Sequence, residues 1–186
     1  MAGLDRRDVI IGAAGLAAAP ALAQQRGDLM FQILYEGNLF ADYFQIYLCD
    51  ENHSDLPEAF TDEDIARRLV AGPQEVVVFT ARNMHVPVRV EWHPQRPAPN
   101  LDGYQHVVEA GFACPSGRLV LAGLTDYIPS SPRLAVKTGV LGVRANMSGL
   151  DTLRENGLDG DDRYLVQLWP GTQPDAARVL KAWPQE

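Results

Sequence analysis

Lysine is nearly missing from this chain of 186 residues: only Lys137 and Lys181 occur, and arginine supplies the other basic side chains. No run of arginines is longer than Arg67-Arg68. Acidic residues outnumber basic ones by 24 to 16, which gives a net charge of −8. Because such a surface repels nucleic acid phosphates and anionic lipids, we expect no direct nucleic acid binding.

Long apolar runs are also lacking, apart from one near the N-terminus. Residues 9–22 carry no charge but are too few to cross about 30 Å of hydrocarbon as a helix. Arg6 and Arg7 precede this Ala/Gly-rich run, and Ala21-Leu22-Ala23 offers the small residues that a signal peptidase accepts. The pattern predicts a twin-arginine signal peptide over residues 1–23. An ordinary secretory signal and a buried N-terminal helix are the alternatives.

Cleavage before Gln24 would leave residues 24–186, a length typical of one domain. The removed segment contains two arginines and two aspartates, so the net charge stays at −8. No second apolar run of comparable length occurs, and the residue directly after the cleavage site is glutamine rather than cysteine. We therefore expect a periplasmic or secreted protein with no membrane anchor after signal cleavage.

Recognisable catalytic motifs are absent: the sequence has no G-x-S-x-G, no H-E-x-x-H and no C-x-x-C. No catalytic residue is predicted, and no cofactor is expected. Among the four histidines, His106 is the main metal candidate, since it shares a predicted strand face with Phe112 and Cys114. A buried structural histidine is the alternative. The acid-rich residues 156–164 lack the order of a calcium loop and are interpreted as a turn.

Cysteine occurs only twice, as Cys49 and Cys114. An exported compartment permits a disulfide, each cysteine lies at the end of a predicted strand, and no other cysteine competes. We predict that the two residues pair, with two buried free thiols as the alternative.

The sequence does contain apolar residues that alternate with a period of two. In VPVRVEW, residues 86–92, the three valines and the tryptophan share one face and the other residues oppose them. Residues 104–112 alternate in the same way, with Glu109 on the face opposite His106. Segments rich in Pro, Gly, Asn and Asp separate these stretches. The pattern predicts a mainly β fold, an antiparallel β-sandwich of about eight short strands.

One short helix is predicted at about residues 61–71. Thr61 can cap it, Asp64 completes a T-x-x-D box, and the acids of TDED suit the positive end of the helix dipole. Gly72-Pro73 would end the helix. The side chains expected to face the core are those of Ile65, Leu69 and Val70.

Three segments carry a resemblance to a known family: DYFQIYL (42–48), FTDEDIARRLVAG (60–72) and VFTARNMHVPV (78–88). In order and rough spacing they resemble competence protein ComJ and its relatives, over about residues 30–145. The resemblance implies a small β-sandwich related to an inhibitor of a DNA-entry nuclease. Phe60 stands where a tryptophan is expected, and residues 150–186 extend beyond the resemblance.

The acidic surface and the resemblance favour an exported, non-enzymatic protein that binds another protein as an inhibitor or accessory factor. Negative charge is densest near the start of the helix, where Glu58, Asp62 and Glu63 could attract a partner with a basic surface. A plain solvated helix end is the alternative interpretation of these acids. The alternative functions are an exported small-ligand or metal-binding protein, and a hydrolase without a recognisable motif.

Overall fold

The computed structural model of the protein describes residues 31–53, 56–57 and 59–184. The predicted signal peptide, residues 1–23, lies outside the described residues, and so does Glu58. Within these ranges, no helix has the length and apolar character needed to cross a membrane.

The described residues form eleven strands in two sheets. Sheet A has six strands in the order β1-β5-β10-β9-β6-β11, and sheet B has five in the order β3-β4-β2-β7-β8. Neighbouring strands run antiparallel except β5 and β10, which are parallel. The strands are β1 (Gln32–Phe40), β2 (Gln45–Asp50), β3 (Leu69–Ala71), β4 (Glu75–Phe79), β5 (His85–Trp92), β6 (His106–Cys114), β7 (Arg118–Gly123), β8 (Arg133–Ala135), β9 (Gly139–Ser148), β10 (Arg163–Pro170) and β11 (Arg178–Lys181).

The predicted fold class is confirmed: the protein is mainly β, with two packed sheets and one short α-helix. Over residues 31–184, apart from the undescribed positions 54, 55 and 58, there are eleven strands rather than about eight. Two strands that the alternation pattern does not predict, β3 and β11, have three and four residues. Strands this short hold too few residues to display a period of two, which is why they escape sequence reasoning.

The core lies between the sheets and is built by the alternation seen in the sequence. In β5, Val86, Val88 and Val90 are buried in the core, whereas Pro87 is exposed and Arg89 is half-buried on the opposite face. In β6, Val108 and Phe112 face the core, and Glu109 faces away from it. The period of two therefore sets which face of each sheet is apolar.

Helix α1 (Asp62–Arg67) begins as predicted but ends early. The Thr61 hydroxyl accepts a hydrogen bond from the Asp64 N–H at 3.1 Å, and the Asp64 carboxylate accepts one from the Thr61 N–H at 3.0 Å. Arg68 adopts a left-handed conformation that ends the helix. The predicted continuation to residue 71 is wrong because β3 pairs with β4 there, and Ile65, expected to face the core, is 46% exposed.

Candidate protein-binding surface

One end of the sandwich gathers several connections between strands. Phe79, the last residue of β4, pairs with Gln45, the first residue of β2. In sheet A, Phe40 at the end of β1 pairs with His85 at the start of β5. Helix α1 also leads into β3 here, beside the end of β4. We call this end of the sandwich the α1 end. It carries the connections at residues 41–44, 80–84, 124–132 and 149–162.

The turn between β1 and β2 is held in an unusual conformation. Tyr43 has φ 52° and ψ 31°, and Phe44 has φ 63°. The Tyr43 N–H donates to the side-chain oxygens of Asn83 at 3.1 Å and Asp42 at 3.0 Å, and the Thr80 N–H donates to the Phe44 carbonyl at 2.8 Å. Contacts from the 80–84 connection thus fix a left-handed turn that bulky side chains rarely adopt.

All non-glycine residues with positive φ among the described residues lie at the α1 end: Tyr43, Phe44 and Arg68. Arg68 is buried, lies 5.5 Å from the ring centre of Trp183, and donates to the Thr80 carbonyl at 3.4 Å. Such backbone conformations each cost on the order of 1 kcal/mol and tend to cluster at functional sites. The strain therefore marks this end as a candidate site.

Large apolar side chains are exposed on the same connections. Tyr127 is 74% exposed, Tyr43 is 64% exposed, and Phe44 is 45% exposed. Single exposed apolar residues are common on proteins, but a group on neighbouring loops is typical of an interaction site. We define the aromatic patch as Tyr43, Phe44, Leu124, Tyr127, Ile128 and Leu158.

Hydrogen bonds join the loops that carry the aromatic patch. The Thr125 hydroxyl donates to the Asp42 carboxylate at 2.7 Å, which links the 124–132 connection to the strained turn. The Arg82 guanidinium donates to the Leu158 carbonyl at 3.3 Å, which links the 80–84 connection to the 149–162 connection. The exposed rings are therefore presented by loops that brace one another.

A buried polar cluster supports these loops from below. Asp162 is fully buried, and its carboxylate accepts hydrogen bonds from Arg82 and, at 2.7 Å, from the Tyr164 hydroxyl. That hydroxyl in turn accepts from the Ala81 N–H at 2.6 Å. Burial, followed by the charge of Asp162, raises the pKa of Tyr164, which keeps the hydroxyl protonated as a donor.

The metal candidate His106 is occupied by backbone groups. Its Nε2 lies 3.0 Å from the Arg67 carbonyl oxygen, and its Nδ1 lies 3.2 Å from the Trp183 nitrogen. In this arrangement Nε2–H donates and Nδ1 accepts, so neither nitrogen is free for a metal. Burial lowers the pKa of His106 and favours this neutral form. In the described ranges, no three His, Cys, Asp or Glu side chains are grouped to hold a metal ion.

The acid-rich segment before β10 is a turn in which the Asn156 side chain accepts hydrogen bonds from the backbone of residues that follow it. The Asn156 side-chain oxygen accepts from the Leu158 N–H at 2.9 Å and from the Asp159 N–H at 3.2 Å. Gly157 has φ 66°. These bonds are typical of an Asx turn, which agrees with the interpretation of residues 156–164 as a turn.

Charges in the first turn of α1 are partly neutralised within the helix. The Arg67 guanidinium lies 3.1 Å from the Glu63 carboxylate and 2.6 Å from the Asp64 carboxylate. The side chain of Asp62 is exposed and makes no ion pair or hydrogen bond with the residues that the structure describes. The acidic patch predicted from Glu58, Asp62 and Glu63 thus includes one side chain, that of Glu63, already engaged by an arginine.

The two cysteines are free thiols in this structure. Cys49 lies on the outer face of sheet B against Val120 and Ala122, whereas Cys114 lies in the core between the sheets. The predicted disulfide is not formed in this structure: Cys114, on β6 of sheet A, lies on the core side of sheet B, whereas Cys49 lies on its outer side. Burial raises the pKa of Cys49 to about 11 and that of Cys114 to about 12, so both thiols are protonated at neutral pH.

Sequence reasoning singled out the start of α1 as a binding face, which stays a prediction, and did not identify the other connections as a surface. The segments 42–48, 60–72 and 78–88, chosen for their resemblance, each contribute to the α1 end. Tyr127 was not identified as a surface residue of interest, because a single aromatic residue in a proline-containing loop forms no recognisable sequence pattern. Asp162 was not identified as a buried residue because the acids around it indicate a solvated turn. No local signal in the sequence reveals that it is buried beside Arg82.

Comparison with known proteins gives structural neighbours only. No protein-family profile matches the chain, and no curated protein matches it in sequence. ComJ from Bacillus subtilis, described as an inhibitor of the DNA degrading activity of NucA, superposes with a TM-score of 0.59 at 14% identity. The superposition covers 76% of this chain and 99% of ComJ. The chain has a ComJ-like fold.

A second solved structure shares this ComJ-like fold. It is the product of crocagin biosynthetic gene J, with a TM-score of 0.52 and 20% identity over 77% of this chain and 99% of that one. Identities this low establish the fold and not the function. The resemblance predicted from the three sequence segments is confirmed at the level of the fold.

Proposed function

We propose that the protein is an exported, non-enzymatic β-sandwich that binds another protein through its α1 end, as an inhibitor or accessory factor. The observation that carries the proposal is the aromatic patch on braced, strained loops. Exposed tyrosines supply large contact areas at low entropic cost, and such residues dominate binding energy at interfaces. The mature form in this proposal is residues 24–186, in the periplasm or outside the cell.

The structural neighbour ComJ supports a protein-binding role in general terms, since its described activity is inhibition of another protein. Catalysis has little support in the described part of the chain, where both thiols are protonated and His106 is occupied by backbone groups. Apart from catalytic features, the protein offers a net negative charge and exposed aromatic rings. This combination suits a partner whose surface has an apolar centre and a basic rim.

The acids at the start of α1 belong to this proposal as a steering element. Helix α1 lies at the same end of the sandwich as the aromatic patch. The N–H of Phe79, the last residue of β4, donates to the carbonyl of Arg68, which ends the helix, and Phe79 pairs on its other side with Gln45, the residue after Phe44. Asp62 and Glu63 are exposed there, and Glu58 precedes them in the chain. We propose that these three acids speed the approach of a basic partner, with little effect on the final contact.

The aromatic patch can be tested with the double substitution Tyr43→Ala and Tyr127→Ala. A partner would first be captured from a periplasmic extract with the wild-type protein, and its dissociation constant would then be measured with purified components. We expect the double variant to bind at least about 30-fold more weakly, because truncating even one central aromatic residue of an interface costs about 2 kcal/mol or more. Since both rings are mostly exposed, the free energy of unfolding should change by less than about 1 kcal/mol.

Leu101→Ala is the matched control, because Leu101 is also an exposed apolar residue but lies in the connection between β5 and β6, which packs over sheet A. It should bind the partner as the wild type does. Equal affinity of the double tyrosine variant and the wild type would place the binding surface elsewhere.

The steering role can be tested by neutralising Glu58, Asp62 and Glu63 to amides while Thr61 and Asp64 keep the helix cap. We expect the association rate at low salt to fall several-fold, on the order of threefold to tenfold. The difference should vanish at high salt, where exposed charges are screened beyond about 3 Å at 1 M. Stopped-flow association at both salt concentrations measures the effect.

The control for net charge is the triple change Glu36→Gln, Asp102→Asn and Asp175→Asn. It removes the same charge from exposed sites on the side of sheet A. If the two triple variants slow association equally, the effect belongs to the net charge, and the α1 acids have no special role.

A further inference from the structure

A row of polar side chains crosses the outer face of sheet A. The register places Glu91 beside Gln167, Gln167 beside Arg144, and Arg144 beside Glu109. Arg178 on β11 is the next residue in the row, opposite Glu109. Five neighbouring strands thus contribute one polar side chain each to a row on the outer face, where packing of the hydrophobic core does not require them.

Three arginines converge on the single carboxylate of Glu109. The buried Arg144 donates to it from Nε at 2.8 Å, Arg178 donates from Nη2 at 3.3 Å, and Arg96 donates from Nη2. Burial opposes ionisation of Glu109, but the hydrogen bonds from Arg144 and Arg96 outweigh it and lower the pKa of the carboxyl. Glu109 is therefore charged, and one negative charge faces three positive ones.

No other buried carboxylate balances this cluster in the described part of the chain. Glu91, the other acid of the row, is engaged by Arg89 at 2.8 Å and by His93 at 3.0 Å. Asp175 lies nearby, but it is exposed and accepts a hydrogen bond from Gln173 at 3.1 Å. Because Glu109 balances the buried Arg144, the charges of the partly exposed Arg96 and Arg178 are left to attract a further anion.

A cleft of about 420 Å³ opens beside the cluster. It is lined by Arg96, Glu109, Trp169 and Arg178, among others. The side chains of Arg96 and Arg178 are 50% and 67% exposed, so part of each guanidinium is free to reach a ligand. A guanidinium has five N–H donors in a planar fork, which matches the oxygens of a carboxylate or phosphate.

We infer that this cleft binds a small ligand through a carboxylate or phosphate group, which Arg96 and Arg178 hold while Arg144 and Glu109 position them. The volume lies within the range of small-molecule sites. Trp169 offers an apolar wall for the rest of the ligand, and its ring is fixed by the Arg144 guanidinium 5.4 Å above it. The site lies away from the aromatic patch and does not depend on the protein-binding proposal.

The test is isothermal titration calorimetry of the full chain with inorganic phosphate and, separately, with citrate at low ionic strength. The double variant Arg96→Gln and Arg178→Gln should bind either probe at least about tenfold more weakly, since charged hydrogen bonds are lost. Arg118→Gln with Arg154→Gln removes the same charge from exposed positions elsewhere and should bind within about twofold of the wild type. Preference for phosphate or for citrate identifies which anion the site takes.

A second variant tests the charge imbalance itself. Glu109→Gln removes the internal anion, so phosphate or citrate should raise its melting temperature by more than it raises that of the wild type. Absence of binding by both probes overturns the inference, and so does equal affinity of the Arg96/Arg178 variant and the wild type. An Arg118/Arg154 variant that loses affinity as much as the Arg96/Arg178 variant would reduce the effect to net charge and also overturn it.

Discussion

Arg144→Met is expected to lower the free energy of unfolding by about 3 kcal/mol or more. Arg144 is fully buried, and its guanidinium also donates to the Pro97 carbonyl at 2.9 Å and to the Gln167 side chain at 3.2 Å. Methionine fills a similar volume, so the loss would come mainly from the broken polar contacts. In the variant, Glu109 keeps Arg96 and Arg178 as partners. The expected loss of unfolding free energy is therefore at the lower end of the range for breaking a buried ion pair. Urea unfolding followed by tryptophan fluorescence measures the change.

Arg118→Met is the control for Arg144. Arg118 pairs with Glu51 at 3.2 Å but is 57% exposed, so its loss should cost well under 1 kcal/mol. Combining Arg144→Met with Glu109→Gln should cost less than the sum of the two single changes, because the second change removes the buried charge that the first leaves underpaired. Strict additivity, or equal effects of the Arg144 and Arg118 substitutions, would show that the buried pair contributes no specific stability.

Asp162→Asn is expected to destabilise the protein by about 3 kcal/mol. The carboxylate is fully buried and is the acceptor for both Arg82 and Tyr164, so an amide leaves Arg82 without its counter-ion. Arg82 also donates a hydrogen bond to the Leu158 carbonyl, and the side chain of the next residue, Asn83, accepts one from the Tyr43 N–H. We therefore expect the loops of the aromatic patch to loosen, with faster amide hydrogen exchange at Tyr43 than in the wild type.

Asp161→Asn is the matched control, because Asp161 is the neighbouring acid but is exposed. Its unfolding free energy should stay within about 0.5 kcal/mol of the wild type. If Asp162→Asn behaves like Asp161→Asn in both unfolding and hydrogen exchange, the buried cluster does not brace the α1 end.

The start of helix α1 shows what local sequence can predict, and its end shows what it cannot. The Thr61–Asp64 capping box involves residues three positions apart, so it forms as predicted wherever the segment lies. The end of the helix depends on β4, which draws residues 69–71 into sheet B and leaves Arg68 in a left-handed conformation. Competition between a helix and a distant strand is decided by tertiary pairing, which outweighs helix propensity.

Alternation determined the fold class and the inward face of the long strands, because a period of two assigns each side chain to one face without reference to any other strand. It placed Glu109 on the outer face of its strand and Val108 in the core, as the structure has them. The prediction that Cys49 and Cys114 pair did not apply this rule, which places Cys49 on the face of β2 opposite Ile46 and Leu48 and leaves Cys114 on the core face of β6.

By itself the sequence determined a mainly β protein with a capped helix, an acidic surface and a candidate export signal. Only the tertiary structure decided which distant residues meet: Arg144 with Glu109, Arg82 with Asp162, and Tyr43 with Asn83. These contacts join residues 35 to 80 positions apart, and they follow from strand order and register. Both candidate sites are made of such contacts because loops and outer sheet faces acquire their neighbours only when the strands have paired.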